Sequence, residues 1–461
     1  MLLWALCGWA LAREPDLILI SMDTTRADAL SCDGPAPGGL GDLPVTPVLD
    51  QLAAEGLRFT HLYSHVPSTL SAHTSMMTGM DPHQHGVPRN GFPVDPTLPT
   101  LAERLSAAGW ESRAVIGSKA LEQSMGLDRG FLSYDDRAEE LHGIMYQARA
   151  EDVVARAVEA MDAANPAKPL FLFVHFYDPH TPYDPPEPWR SRLTDPSYQG
   201  PFTGGAFSLE GVHQPLLDGT LPPAEVAQIV GLYLGEVAYV DAQIGRLLDA
   251  LRERGRLERA LVVVTADHGE TLAEDPDQAF SHGARVTRET TRVPLVMRGY
   301  GVPLAERAVV DRQAALSGLP ATLEIALGLE PTLGADLWDL VRPGPVRLDE
   351  GWPERPVRTV FQEATRPRQR EDSVRWNNLP MDRGVRAGGW VAGWIPYRDP
   401  ALALREGGED LAVLPVLDRM LRRWDADAPP HRDAAMPDAT RQALEALGYL
   451  EPERSPPAGS Q

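Results

Sequence analysis

The chain has 461 residues, long enough for one large catalytic domain with an appendage, and its 43% hydrophobic and 23% charged content is that of a globular protein. Its formal net charge of −22 repels phosphate backbones and anionic headgroups, which argues against nucleic acid as a partner. The two cysteines, Cys7 and Cys32, allow at most one bridge, so neither a disulfide framework nor a zinc–thiolate cluster is available.

Met1 to Ala12 (MLLWALCGWALA) is an uncharged apolar run with a small-x-small ending before Arg13. It is too short to span a bilayer and fits a secretory signal segment, so residues 1–12 are expected to be removed and the protein to act outside the cytoplasm. Leu17–Ser21 (LILIS) reads as a strand buried on both faces, and Asp23 follows it directly. Gly34–Pro44 is Gly- and Pro-rich and reads as a loop, and Thr46–Glu55 as a helix. Pro67–Gly79 (PSTLSAHTSMMTG) reads as a loop feeding the N-terminus of a helix. Ser68, Thr69 or Ser71 there either caps the helix or presents a hydroxyl where backbone N–H groups and the helix dipole favour an anion.

Helices are expected over Thr100–Ala108 and Glu151–Ala163, and then a strand over Leu170–Phe176 (LFLFVHF), followed by a cluster of His175, Asp178 and His180. Gln199–Pro223 reads as a long loop bordering a site, and Pro223–Arg254 as a long helix opened by Pro-Pro and closed by Gly255. Leu261–Ala266 (LVVVTA) and Val293–Met297 (VPLVM) read as strands, the first running straight into Asp267, His268, Gly269 and Glu270. Strands alternating with helices predict an α/β fold built on a mainly parallel sheet, with ligands bound beyond the carboxyl ends of its strands. From about Asp336 the alternation weakens. A smaller C-terminal subdomain over residues 336–461 is expected, with a helix-like stretch at Arg441–Leu447, beside a catalytic domain over residues 13–335.

Nine of the twelve histidines, at 61, 65, 73, 83, 85, 175, 180, 268 and 282, fall in four short segments, a clustering that favours metal or anion chemistry. His61, His65 and His85 read as hydrogen-bonded structural residues, and Asp267 with His268 at a buried strand's end as a metal site.

Seven motifs in collinear order, DLILISMDTTRAD (Asp16–Asp28), TPVLD (Thr46–Asp50), SMMTG (Ser75–Gly79), HQHGV (His83–Val87), HFYDPH (His175–His180), ADHGE (Ala266–Glu270) and RVPL (Arg292–Leu295), resemble the sulfatase family of the alkaline-phosphatase-like superfamily. The resemblance runs from about Pro15 to Gly299, and more loosely to the Ala-Leu-Gly-Tyr-Leu ending at Leu450. It implies an alkaline-phosphatase-like fold and one divalent ion, calcium, magnesium, manganese or zinc, held by Asp23, Asp267 and His268 with Thr69 alongside. Counted back from Gly79, Thr69 stands where the family carries the residue oxidised to formylglycine, and His73 where it carries an arginine. Threonine is not a substrate for that oxidation, so the resemblance implies an unmodified Thr69 nucleophile, with His180 and His282 binding the ester or protonating its leaving oxygen. Thr24 stands in place of a second aspartate ligand and His282 in place of a lysine, and Gly117-Ser-Lys119 is the nearest source of the family's other lysine. The implied activity is metal-assisted hydrolysis of a sulfate ester, or a phosphate ester, on a small molecule or glycan. The alternatives are a phosphodiesterase or phosphoglycerol-type transferase, and an inactive binding protein.

Overall fold

The structure, a computed structural model, describes residues 13–141, 145–204, 210–275, 279–283, 285–331, 336–342, 360–365, 381–387, 390–395, 399–406 and 414–426. The apolar Met1–Ala12 segment and the helix expected at Arg441–Leu447 lie outside these residues. Strands β1 (Asp16–Met22), β2 (Leu57–Tyr63), β3 (Glu111–Ile116), β4 (Ser133–Asp135), β5 (Leu170–Phe176), β6 (Ala260–Thr265), β7 (Arg292–Tyr300) and β8 (Ala308–Ala315) form one sheet in the order β8-β2-β7-β6-β1-β5-β3-β4. All neighbours pair in parallel except β7, which runs antiparallel to both β6 and β2.

The alternation of side chains along β1 explains why its sequence is apolar throughout. Ile18, Ile20 and Met22 point to one face of the sheet, where they join α1 (Pro47–Glu55), α4 (Ala150–Asp162) and α5 (Pro223–Glu253); α2 (Thr69–Thr78) and α3 (Leu101–Ala107) lie on the other face, with Leu17 and Leu19. Every residue of β1, β5 and β6 is buried. The four strands that apolar runs did not announce carry polar residues that find partners inside the fold. On β3, for example, Arg113 is 9% exposed and pairs with Glu111 at 2.7 Å.

The long helix α5 packs closely against the segment from Pro185 to Leu193 because two of its residues have no side chain. A Cβ on Gly231 would lie 2.2 Å from the Leu193 carbonyl oxygen, and one on Gly235 would lie 2.7 Å from the Pro185 ring. The loop expected over Gln199–Pro223 is partly helical, with Glu210–Leu217 forming two turns before α5. The helix-forming residues there were masked from a sequence reading by Pro215 within and the Gly- and Pro-rich flanks.

Beyond residue 342 the described elements are an antiparallel sheet, β9 (Val360–Thr365), β10 (Met381–Ala387), β11 (Trp390–Ile395) and β12 (Asp399–Glu406), followed by the amphipathic helix Leu414–Ala426. It meets the large sheet where the Arg386 guanidinium sits 3.9 Å over the Tyr63 ring and Gln313 donates to the Arg386 carbonyl at 2.9 Å. Trp424 of the last helix lies 4.4 Å from the His83 ring. Among the described residues no helix is long and apolar enough to cross a membrane.

Candidate active site

The carboxyl ends of β1, β5 and β6, the three adjacent central strands, open onto one cluster of polar side chains. Asp23 follows β1, its N–H donating to the Phe176 carbonyl at 2.9 Å. The next residue, Thr24, has φ of 49°, a left-handed conformation that costs a β-branched residue on the order of 1–2 kcal/mol. It is held there from two sides: its N–H donates to Asp267 Oδ1 at 3.2 Å, and its carbonyl accepts from the Tyr233 hydroxyl of α5 at 3.1 Å.

Helix α2 begins at Thr69 and is buried at every position. None of Ser68, Thr69 and Ser71 caps it. The cap comes from across the chain: Asn90 Oδ1 accepts from the Leu70 N–H at 2.7 Å and from the Ser68 hydroxyl at 3.2 Å, while the Asn90 N–H donates to Ser68 Oγ at 3.1 Å. Thr69 therefore lies between two residues fixed by Asn90, and its own hydroxyl, buried, has no hydrogen-bond partner. Behind β6, the Gly269 N–H donates to the Thr290 carbonyl at 2.9 Å, an approach so close that a Cβ would fall 2.1 Å from the Glu289 oxygen.

Ligating atoms of Asp23, Asp267 and His268, all fully buried, lie within 4.8 Å of one another. Asp23 Oδ1, Asp267 Oδ2, His268 Nε2 and Thr69 Oγ are all left without a hydrogen bond. Orphaned polar atoms converging in a dry site are costly unless a cation satisfies them, and the two carboxylates and one imidazole nitrogen that lie together suit a divalent ion. His268 Nδ1 donates to the Gly269 carbonyl at 2.9 Å, which leaves the Nε2 lone pair facing the carboxylates, the tautomer a metal ligand requires.

Burial, then repulsion from Asp267, pushes the Asp23 carboxyl well above the usual range, with His268 pulling the other way. Burial also raises Asp267, but His268, His73 and His175 outweigh it and hold that carboxyl below its ordinary value. The site thus favours one ionised carboxylate and resists the second, as expected of two acids sharing a dry space without their cation.

His180 and His282 stand beside this group. The His282 ring centre is 4.6 Å from that of His268 and 5.0 Å from that of His180, and the His180 ring stacks on Tyr177 at 4.4 Å. His282 Nδ1 donates to Glu270 Oε1 at 3.0 Å, and Glu270 Oε2 accepts from the Tyr183 hydroxyl, so a buried carboxylate orients the imidazole. Burial moves both histidines down to about 3 and Glu270 up to about 7.

All six residues singled out from sequence, Asp23, Thr69, His180, Asp267, His268 and His282, are gathered here. Other residues named with them serve elsewhere. Asp178 accepts from the Ala150 N–H at 3.1 Å at the start of α4, and Lys119 pairs with Glu122 at 3.1 Å. His65 pairs with Asp81 at 3.1 Å and His85 bonds Ser75 Oγ at 3.0 Å, as structural histidines do. Asn90 and the Tyr183–Glu270 support of His282 were not legible, since each depends on contacts between distant loops that carry no periodic signal.

Residues 15–328 match the family model described as Sulfatase. The chain is 24% identical over 316 residues to an arylsulfatase of Clostridium perfringens, an alignment covering 57% of this chain and 64% of that protein, so it spans under two thirds of this relative's length. Among solved structures, a phosphonate monoester hydrolase of Agrobacterium radiobacter superposes with a TM-score of 0.65 at 21% identity, covering 94% of this chain and 97% of that one. A protein solved with its substrate D-glucosamine-2-N,6-O-disulfate superposes with a TM-score of 0.69 at 17% identity, covering 92% and 100%. Both share the alkaline-phosphatase-like fold.

Proposed function

Because the chain belongs to the sulfatase family, we propose that it is a metal-dependent hydrolase of sulfate esters that acts outside the cytoplasm, with Thr69 in unmodified form as its nucleophile. The observation that carries this reading is the convergence of three orphaned, buried polar atoms, on Asp23, Asp267 and His268, at the carboxyl ends of the central strands, with the Thr69 hydroxyl buried at the start of α2. Asp23, Asp267, His268 and Thr69 would hold one divalent ion. When bound, that ion supplies Lewis-acid polarisation of the ester oxygens and lowers the pKa of a neighbouring hydroxyl.

The chain's own residues do the rest. Asn90 holds the Ser68 side chain and the Leu70 N–H on either side of Thr69, so the Thr69 hydroxyl meets the ester at the start of α2, where the helix dipole favours negative charge. Thr69 Oγ gives up its proton and attacks sulfur or phosphorus, the leaving oxygen departs from the opposite side and takes up a proton, and water then attacks the same central atom, releasing the acid and returning a proton to Thr69 Oγ. His180 and His282, the latter held by Glu270, bind the ester oxygens or hand a proton to the leaving oxygen in their protonated form, which burial alone disfavours and the negative charge of a bound ester favours.

A second reading, hydrolysis of a phosphate or phosphonate ester by the same residues, is favoured by position 69 itself. A threonine cannot become an aldehyde, and its covalent ester is released by a second displacement at the central atom, a step well suited to phosphorus. The likeness to a phosphonate monoester hydrolase supports it through the fold alone. An assay of an aryl sulfate, a phosphate monoester, a phosphodiester and a phosphonate monoester with magnesium, calcium, manganese or zinc separates the readings. Turnover of the aryl sulfate above the others supports the first. Turnover of a phosphorus ester alone supports the second, and no turnover of any overturns both.

A further inference from the structure

Two more imidazoles lie beneath the candidate metal ligands, and the reaction as proposed uses neither. His175, on β5, directs Nε2 at Asp23 Oδ2 at 3.1 Å; with Asp23 ionised, as a metal ligand must be, that oxygen only accepts, so the ring donates there and Nδ1 carries the lone pair. His73, on α2, directs Nδ1 at the Thr69 carbonyl at 2.7 Å, with Asp267 Oδ2 at 3.6 Å from the same nitrogen. A carbonyl likewise only accepts, so His73 Nε2 accepts from the Ser21 hydroxyl at 2.9 Å. The two rings meet edge to face with centres 4.9 Å apart, and both are fully buried.

We propose that His73 and His175 form a paired positioning layer for the metal site: His175 sets the rotamer of Asp23, and His73 sets the backbone of Thr69 while its ring flanks Asp267. Position 73 is where the resembling family carries an arginine. Here the single long cation is replaced by two short rings, each behind a different ligand and braced against the other.

The polar accounting separates this role from ordinary packing. His175 Nδ1 is buried without a hydrogen bond, an arrangement that a layer selected for stability alone would avoid. The Asp23–His175 hydrogen bond engages Oδ2 and leaves Oδ1 as the Asp23 oxygen without a hydrogen bond. Losing that bond frees the carboxylate to rotate, which weakens a ligand without removing it. Outer contacts of this kind are typically worth about 10–100-fold in metal affinity.

The inference rests on the metal site of the proposed function, yet it is read without any ester. Chelator-stripped full-length protein is titrated with Mg2+, Ca2+, Mn2+ and Zn2+ in turn by calorimetry, and Tm is recorded with and without the ion. Compared with wild type, His175→Phe should bind the preferred ion about 10–100-fold more weakly while the metal-free Tm stays equal or rises, and His175→Gln, which restores a donor, should recover part of the affinity. His73→Phe should weaken binding as well, and the double variant by less than the product of the two single effects, because the rings share a contact.

Wild-type affinity in both single Phe variants would overturn the proposal, as would a metal-free Tm that falls in step with the loss of binding. Should His175→Phe fail to fold, His175→Asn, whose amide is too short to reach Asp23, must bind more weakly than His175→Gln, and equal affinities overturn the proposal. A chain that binds metal as described but hydrolyses no ester loses the proposed function and keeps this layer. A chain that hydrolyses esters with His73 and His175 variants unchanged in affinity does the reverse.

Discussion

Strand β1 begins on one fully buried aspartate and is followed directly by another, and the two are treated in opposite ways. At the start, Asp16 accepts from the Leu170 N–H at 2.7 Å and from Arg256 at 3.0 Å, with Arg13 at 2.8 Å, so both its oxygens are satisfied although burial still lifts the carboxyl above the usual range. Just past the other end, Asp23 keeps one oxygen without a partner and faces a second carboxylate, Asp267. The same residue type at the same depth is thus closed at one end and left open at the other. Asp16 helps hold the sheet together at the amino end of β1; at the carboxyl end Asp23 is left open, which costs stability and is what the proposed cation site requires.

The largest effect that would sharpen this contrast is at Asp267. Asp267→Ala should remove bound metal and bring ester turnover to background while circular dichroism stays native, and equal metal content by elemental analysis would contradict the assignment. Next, Thr69→Ala should keep the metal yet lower turnover by at least about a thousandfold, the scale of losing a nucleophile. A near-normal rate would assign the attack to water, and the mass of the Thr69 peptide should be unmodified.

At the closed end the expectation reverses. Asp16→Ala strands Arg256, which is 6% exposed, and should cost on the order of 3 kcal/mol in denaturant unfolding with metal content unchanged. Asp23→Asn should weaken metal binding but leave the metal-free protein as stable as wild type or slightly more so, since it relieves the repulsion from Asp267. The smallest effect is at Thr24: asparagine tolerates φ of 49° better than threonine, so Thr24→Asn should raise stability by about 0.5–1 kcal/mol.

The α/β class and the site were legible for related reasons. Strands buried on both faces write themselves as unbroken apolar runs, and in this fold the residues that follow such runs lie where the chemistry is, which is how Asp23, Asp267 and His268 could be read from a line of letters. Strands β2, β3, β4 and β8 escaped because the polar residues they carry, such as Arg58 on β2 and Asp311 on β8, are paired by partners far away in sequence, and pattern alone does not register a remote partner. The same limit hid Asn90. Its bonds to Ser68 and Leu70 cross some twenty residues of irregular chain. His73 was visible as a departure from the family's arginine, whereas its pairing with His175 required helix α2 and strand β5 to be packed together.

The reversed strand β7 has a bearing on how such a protein can change over generations. Because β7 runs opposite to β6, the chain leaves the sheet after Thr265 and re-enters at Arg292 on the same rim, with no crossover to the far side. The intervening stretch carries Asp267, His268, Glu270 and His282, is anchored by the Gly269–Thr290 hydrogen bond, and is cross-tied by the Thr271 N–H to the Ser281 carbonyl at 3.0 Å. Half of the candidate site is thereby written in one continuous, doubly anchored cassette. Its outer residues can lengthen, shorten or recombine between relatives as a single exchange, and substrate preference can drift without rewriting the sheet that keeps the ligands in register.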